Sequence, residues 1–197
     1  MRPHRGGCAV RVFLVPGHGG HDPGAIGPTG LREADVALQV AGILAPLLAP
    51  LSVKVSRDAC TYISPDAQRR DADAWGADLV VAIHCNAAVN PSAQGVEVFT
   101  WPGQSESDIL ADWMLAKLGR MRSKLGPSRK DTADGDGDKE ARFAVLGTKA
   151  PAVLVEMGFI SHPATEEQFR KPEVLQEIAF NLCDAITCWR LTGKGPK

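Results

Sequence analysis

Four polar residues occupy positions in the sequence where a folded chain would bring them together. His18 and His84 each follow a short apolar run, and Glu156 lies inside a third apolar run. Glu33 follows a glycine-rich loop and opens a stretch with helical spacing. A charge that is buried without a partner is costly, so Glu156 needs either a partner or a function. Because ligands bind at strand ends in open α/β sheets, we expect these four side chains to converge.

Two imidazoles and two carboxylates in one place would suit a metal-assisted hydrolysis. Two histidines and one carboxylate can bind zinc and leave one coordination position for water. A further carboxylate could then take a proton from that water. The spacing alone leaves other roles open: either histidine could be a hydrogen-bonded structural residue, Glu33 could complement a helix dipole, and Glu156 could form a buried ion pair.

Alternating strands and helices must position these residues. Short β-rich apolar runs alternate with segments of helical periodicity, which predicts a single α/β domain with a central twisted, mostly parallel (mixed) sheet flanked by helices on both faces. Ser105 to Asp108 has the spacing of a capping box, and 124–142 is predicted to be a polar loop. The predicted strands are 10–15, 51–55, 79–83, 95–101 and 152–157, and the predicted helices begin at Glu33, Pro65 and Ser105, with a last helix carrying Leu175 to Trp189.

The composition is that of one soluble domain. Of the 197 residues, 44% are hydrophobic and 23% are charged. We expect the domain over 9–191, with flexible tails over 1–8 and 192–197. A formal net charge of -1 argues against nucleic acid as a partner, and the apolar runs are too short for stable membrane insertion. The five scattered cysteines predict neither a disulfide framework nor a thiolate zinc cluster.

The residues around the four candidates resemble a known family. Four blocks occur in order: VFLVPGHGGHDPGAIGPTGLREADV at 12–36, ADLVVAIHCN at 77–86, GVEVFT at 95–100 and PAVLVEMGFIS at 151–161. Together they resemble the zinc-dependent N-acetylmuramoyl-L-alanine amidases of the type 3 family, from about Val10 to Trp189. The resemblance implies that His18, Glu33 and His84 bind Zn²⁺, that Glu156 is the catalytic carboxylate, and that Asn86 contributes to substrate binding.

The implied reaction is hydrolysis of the amide bond between the lactyl group of N-acetylmuramic acid and L-alanine of the peptidoglycan stem peptide. The expected partner is peptidoglycan, and the expected state is a monomer. We recognise no signal peptide, so we expect synthesis in the cytoplasm and action on the cell wall after release, for example through a holin, as in a phage endolysin. Two alternatives remain: a non-catalytic zinc-containing peptidoglycan-binding module, and a metallopeptidase that cleaves the stem peptide.

Two positions depart from the family pattern. Val15 stands where an acidic residue usually ends the first strand, which would remove a hydrogen-bond partner of a metal ligand. His162 replaces a common asparagine and would add an ionisable group near the rim of the cleft.

Three other features carry weaker predictions. His21 forms His-x-x-His with His18, but a non-helical loop does not preset that pair as metal ligands. Cys85 is expected to be a small buried residue rather than a nucleophile. The acidic run Asp134–Glu140 suggests calcium, yet it lacks the glycine and glutamate that an EF-hand loop needs at its sixth and twelfth positions. We therefore expect a solvated loop beside the cleft.

Overall fold

Six strands and six α-helices lie along residues 10–133 and 135–196, the part of the chain that the computed structural model describes. The predicted tail over 1–8 lies outside the described residues. The strands are β1 (Arg11–Pro16), β2 (Ser52–Val55), β3 (Leu79–Asn86), β4 (Glu97–Thr100), β5 (Lys139–Glu140) and β6 (Ala152–Phe159). The helices are α1 (Glu33–Leu47), α2 (Pro65–Trp75), α3 (Glu106–Leu118), α4 (Arg122–Leu125), α5 (Pro163–Phe169) and α6 (Pro172–Thr192).

The strands form one mixed sheet in the order β2-β1-β3-β6-β4-β5. β1 is parallel to both β2 and β3, and β3 is parallel to β6. β4 runs antiparallel to β6 at the far side. The predicted single α/β domain with a mixed sheet is confirmed. Because β1, β3 and β6 are parallel, their carboxyl ends meet at one edge of the sheet.

The two faces of the sheet bury different side chains because successive residues of a strand point to opposite faces. In β1, Val12 and Leu14 pack in a core with α1, α3 and α6. Phe13 and Val15 pack in a second core with α2. Val15, where an acidic residue was expected, is 1% exposed and therefore belongs to the apolar core.

Helix ends follow local sequence signals. α2 has Ser64 as its N-cap and ends at Trp75, and the C-cap residue Gly76 has a left-handed φ of 70°. The capping box predicted at Ser105 and Asp108 is confirmed at the start of α3. α1 lacks a side-chain cap, and its first residue is Glu33. α1 therefore begins directly at a candidate site residue, without a capping side chain before it.

The structure differs from the predicted elements in three places. β3 continues past residue 83 to Asn86, because His84 pairs in register with Glu156 of β6. The segment predicted as a polar loop over 124–142 contains the end of α4 and the short strand β5. α5 was not predicted. None of the helices in the described part of the chain is both long and apolar enough to cross a membrane.

Candidate metal and catalytic site

His18, Glu33 and His84 meet at the carboxyl ends of β1 and β3. The Glu33 carboxylate lies between the two imidazole rings: its Oε1 is 2.8 Å from His84 Nδ1, and its Oε2 is 3.2 Å from His18 Nε2. The ring centroids of the two histidines are 5.1 Å apart, at an interplanar angle of 77°. The structure therefore brings together the three residues predicted as metal ligands.

Glu33 is a buried carboxylate, 4% exposed, and its oxygens are well supplied with donors. The backbone N–H of Ala25 donates to Oε2 and that of Cys85 donates to Oε1. Burial alone would raise the pKa of Glu33, but the hydrogen bonds from His18 and His84 outweigh it and hold the pKa well below its usual range. Glu33 is therefore anionic across the physiological range.

His18 is held by its backbone and by a second carboxylate. Its φ of 61° lies in the left-handed region, which is uncommon for a residue other than glycine. His18 Nδ1 donates to Asp22 Oδ2 at 2.8 Å. The hydrogen bond to Glu33 favours the protonated form of His18, burial opposes it, and the hydrogen bond to Asp22 favours it further. Together these effects raise the pKa of His18 to about 9. Asp22 thus supplies the kind of hydrogen-bond partner that the valine at position 15 removes.

The buried side chain of Arg57 holds the two ends of the loop between β1 and α1 by hydrogen bonds. The guanidinium group is buried and donates to the carbonyl oxygens of Pro16, Gly17 and Ala34, at distances of 3.0, 2.7 and 2.9 Å. One side chain therefore joins the strand end before His18 to the first turn of α1, where Glu33 lies. No role for Arg57 was predicted, because a lone arginine after a short strand carries no spacing signal.

Two glycines permit the close packing of the three ligand candidates. A Cβ on Gly17 would lie 2.2 Å from His84 Cε1, well inside any contact distance. A Cβ on Gly24, whose φ is +65°, would lie 2.6 Å from His18 Cδ2 and 2.7 Å from Glu33 Oε2. The glycine-rich loop is therefore required by close approach as well as by backbone conformation.

Glu156 lies directly beside this group. It pairs in register with His84 of β3 on one side and with Glu97 of β4 on the other. Its Oε2 atom is buried and has no hydrogen-bond partner among the described residues, so the alternative of a buried ion pair finds no support. Burial, with the charges of Glu33 and Glu97, raises the pKa of Glu156 to about 8. Such a carboxyl group can both hold and release a proton near neutral pH.

Asn86, predicted to contact substrate, lies at the end of β3 two residues after His84. Its Nδ2 donates to Glu97 Oε2 at 2.8 Å. Glu97 is buried and also accepts from Arg129 and Lys139 through Oε1, at 2.6 and 2.8 Å. Glu97 was not predicted as a site residue, because it lies in an ordinary short strand. It orients the Asn86 amide beside Glu156.

The His18, Glu33 and His84 group could hold a metal ion, since one ligand atom of each lies within 4.8 Å of the others. Two imidazole nitrogens and one carboxylate oxygen suit zinc and similar borderline metals better than calcium or magnesium. Within the described residues, Glu33 has no lysine or arginine partner that would already neutralise it. The donor set therefore fits a catalytic divalent metal.

The weaker candidates lie elsewhere. The His21 ring stacks on Tyr62, with centroids 4.6 Å apart, and His21 is not part of the metal-competent group. Cys85 is 2% exposed, and burial raises the pKa of its thiol well above the usual value, which confirms it as a buried small residue. His162 is the N-cap of α5, where its side chain accepts from the Thr165 N–H. It thus takes the capping role to which asparagine is suited.

Glu166 is a third residue, after Arg57 and Glu97, whose role was not predicted from the sequence. It is 1% exposed and accepts from the backbone N–H groups of Thr29 and Leu31, from the Thr29 hydroxyl and from Arg170. Burial would raise the pKa of Glu166, but the hydrogen bonds from Leu31 and Thr29 and the charge of Arg170 hold it below its usual range. This carboxylate fastens the loop that leads into Glu33.

Comparison with known proteins shows the family of the chain. The sequence model of the N-acetylmuramoyl-L-alanine amidase family matches residues 12–188. The chain belongs to this family. A crystal structure of the N-acetylmuramoyl-L-alanine amidase from Clostridium difficile 630 superposes with a TM-score of 0.82 at 30% identity, covering 93% of this chain and 98% of that one. The resemblance found in the motifs is confirmed.

Two curated relatives of this amidase-family chain are longer than it. The sporulation-specific N-acetylmuramoyl-L-alanine amidase of Bacillus subtilis (strain 168) is 33% identical over 175 residues, which cover 86% of this chain and 64% of that protein. An endolysin of Bacillus phage SPP1 is 29% identical over 179 residues, which cover 89% of this chain and 64% of that protein. The match thus spans about two thirds of each relative.

Replacing Gly17 with alanine should displace the His84 ring and weaken metal binding by about 10–100-fold or more, because the new Cβ would overlap the imidazole. Isothermal titration with zinc measures this affinity. Gly42→Ala is the matched control: Gly42 is exposed in α1 with open space around its Cβ position. The control should keep the zinc affinity and gain about 0.5–1 kcal/mol of stability. Equal zinc affinity in both variants would contradict the packing argument.

Glu166→Gln should lower the free energy of unfolding by about 1–3 kcal/mol, because an amide NH₂ would face backbone donors that now bind a carboxylate. Denaturant unfolding measures the change, and hydrogen exchange at Thr29 and Leu31 should accelerate. The neighbouring Glu167, whose side chain is 70% exposed, supplies the control Glu167→Gln, for which a change within about 0.5 kcal/mol is expected. Indistinguishable variants would mean that Glu166 does not fasten the loop.

The metal-free protein should lose stability as pH rises from about 4.5 to 9. The raised pKa values of His18 and Glu156 mean that the folded state keeps protons which the unfolded state has released, so the slope of stability against pH is negative. Glu156→Gln removes the part that belongs to Glu156. After chelation, the free energy of unfolding of that variant, measured with denaturant at pH 9, should exceed that of the parent protein by an amount on the order of a few kcal/mol, and the difference should vanish near pH 4.5. A pH-independent difference would be the wrong outcome.

Proposed function

We propose that this chain is a zinc-dependent N-acetylmuramoyl-L-alanine amidase. The reaction is hydrolysis of the amide bond that joins the lactyl group of N-acetylmuramic acid to L-alanine of the stem peptide. The observation that carries the proposal is the register of β3 and β6, which sets the unpaired Glu156 carboxyl group beside the metal-competent group of His18, Glu33 and His84. Family membership supports the choice of bond.

Zinc would be held by His18, Glu33 and His84. The chemistry that such a metal supplies is Lewis acidity, which polarises an amide carbonyl and acidifies water. The protein holds Glu33 anionic and buried, and it orients the His18 ring through Asp22. These hydrogen bonds reduce the reorganisation needed for binding, since the side chains already face one another.

Glu156 carries the proton in the proposed mechanism. Its carboxylate takes a proton from the water that attacks the lactyl carbonyl, and the resulting carboxylic acid gives that proton to the departing nitrogen of L-alanine. The pKa of about 8 suits the second transfer, and the buried Oε2 without a donor leaves a free acceptor for the first. The products are the glycan with a free lactyl carboxylate and a stem peptide with a free amino terminus.

Asn86 contacts the substrate in this proposal. Its Nδ2 is engaged by Glu97, and its Oδ1 accepts from the N–H of Ala87, so the amide plane is fixed at the end of β3. A fixed amide at the side of a cleft can recognise a peptide group with little loss of conformational entropy. Glu97 therefore holds the Asn86 amide in place and adds a negative charge that raises the pKa of Glu156.

The two alternative functions differ in observable ways. A binding module with structural zinc usually closes the metal with four protein ligands, whereas the metal-competent group in the described residues has three. A metallopeptidase acting on the stem would use the same metal chemistry on a different bond. The similarity to the phage SPP1 endolysin supports a further proposal, that the chain acts on the cell wall as a lysin.

Product analysis on purified peptidoglycan tests the function. The zinc-loaded protein should create new L-alanine amino termini and glycan with free lactyl groups, and a chelator should stop both until zinc is restored. New amino termini at other stem residues would indicate a peptidase, and wall binding without any release would indicate a binding module.

Glu156→Gln should lower kcat by about 10²–10⁴-fold and retain bound zinc, because it removes the proton carrier and leaves the three ligands. Glu173→Gln is the matched control, since Glu173 is exposed in the first turn of α6 and should leave the rate unchanged. A Glu156→Gln protein that still released L-alanine termini at the parent rate would refute the role given to Glu156.

A further inference from the structure

Three aspartates converge away from the candidate active site. Asp108 lies in the first turn of α3, and Asp136 and Asp138 lie just before β5. One carboxylate oxygen from each lies within 4.8 Å of the others. We call these residues the aspartate cluster. The expectation of a solvated loop is wrong at Asp138, which is 2% exposed.

The aspartate cluster belongs to the opposite end of β4 from Glu156. Glu97, the first residue of β4, pairs with Glu156. Thr100, the last residue of β4, donates through its hydroxyl to Asp138 Oδ2 at 2.5 Å. The strand separates these two residues by about 10 Å. The cluster is therefore distinct from the His18, Glu33 and His84 group and serves no step of the proposed mechanism.

The charges of the cluster have no basic partner. Asp108 is 6% exposed and Asp138 is 2% exposed. No salt bridge joins any of the three aspartates to a lysine or arginine across 10–133 and 135–196. Lys130 instead interacts with a fourth carboxylate, Asp112. Burial is the main cause of the raised pKa of Asp112, the charge of Lys130 lowers that pKa, and the charge of Asp136 raises it. Buried carboxylates without a counter-ion are strongly unfavourable, so this group requires a neutralising partner.

The hydrogen bonds orient the cluster and leave acceptor atoms free. One oxygen of each aspartate is engaged: Thr100 donates to Asp138 Oδ2, Gln104 Nε2 donates to Asp136 Oδ2 at 2.8 Å, and the backbone N–H of Ser105 donates to Asp108 Oδ2. Asp136 Oδ1 and Asp138 Oδ1 are buried and have no donor from outside the aspartate cluster in the described structure. Buried acceptors without partners are rare in proteins and point to a bound ion or water.

The donors select the kind of ion. Carboxylate oxygens without nitrogen or sulfur favour the hard cations Ca²⁺ and Mg²⁺ over zinc. The chain between Asp136 and Asp138 is glycine, and Gly135 has a φ of +108°, so the ligand segment bends irregularly. An open cavity of about 200 Å³ borders Asp138 and is also lined by Asp131, Ala133 and Glu140. Irregular backbone and room for water fit the large, adaptable coordination shell of calcium better than the strict octahedron of magnesium.

We propose that Asp108, Asp136 and Asp138 bind one calcium ion that ties the end of β4 and the start of α3 to the segment before β5. The site does not follow the EF-hand pattern, because one ligand comes from a helix that precedes the acidic run. Its role is structural: the ion replaces the missing positive charge. Without calcium, protons take that place, since burial raises the pKa of Asp138 to about 7 and raises that of Asp108.

Equilibrium dialysis with radioactive calcium at pH 8, on the zinc-loaded 197-residue chain, should find one calcium ion per chain. At calcium 100-fold above its Kd, the melting temperature should rise by about 5–10 °C. Magnesium at the same concentration should give less than half of this shift. An absence of calcium binding at millimolar concentration would overturn the proposal, and an equal shift with magnesium would overturn the choice of ion.

Substitutions separate this site from the active site. Asp138→Asn should abolish the calcium shift and raise the melting temperature of the calcium-free protein, because it removes one buried negative charge. Asp136→Asn serves in the same way if the first variant does not fold. Asp66→Asn, at a side chain that is 64% exposed on α2, should keep the calcium response. The response should also persist in His84→Ala, where zinc binding is lost. Calcium binding that survives in both aspartate variants, or disappears in His84→Ala, would refute the assignment.

Discussion

The buried carboxylate of Glu33 is the interaction on which the candidate site depends. It joins a histidine from the loop after β1 to a histidine in β3, and it does so from the first residue of α1. Burial of a lone carboxylate is unfavourable, and the two imidazoles with two backbone N–H groups offset that cost. The loop, the helix start and the strand end are therefore held in one arrangement by one charged group.

Much of the surrounding structure serves that arrangement. Arg57 gathers the carbonyl oxygens on either side of the loop, and Glu166 fastens the middle of the loop from α5. Gly17 and Gly24 remove the side chains that would separate the ligand candidates. These four residues come from three parts of the sequence, and none of them touches the reacting bond in the proposed mechanism. Their effect is to position the ligands before a metal or substrate binds.

The sequence predicted the fold class and the convergence of the site because both depend on local patterns. His84 follows the apolar run of one parallel strand and Glu156 lies inside the apolar run of another, and such strands end at the same edge. The supporting residues were not predictable in the same way. Glu166 and Glu97 lie in polar or ordinary segments, and only tertiary packing buries them. The same holds for Asp138, whose polar neighbours indicated solvent, whereas Thr100 and α3 enclose it.

The reversed direction of β4 has a consequence for building larger enzymes from this fold. The strand enters beside the cleft at Glu97 and leaves at Thr100, on the far side of the sheet. The short connection 101–105 between β4 and α3 therefore emerges away from the catalytic edge. A module grafted at Trp101 or Pro102, ahead of the donors Gln104 and Ser105, would lie at the end of β4 opposite Glu156. The added module and the His18, Glu33 and His84 group would then lie toward opposite ends of β4.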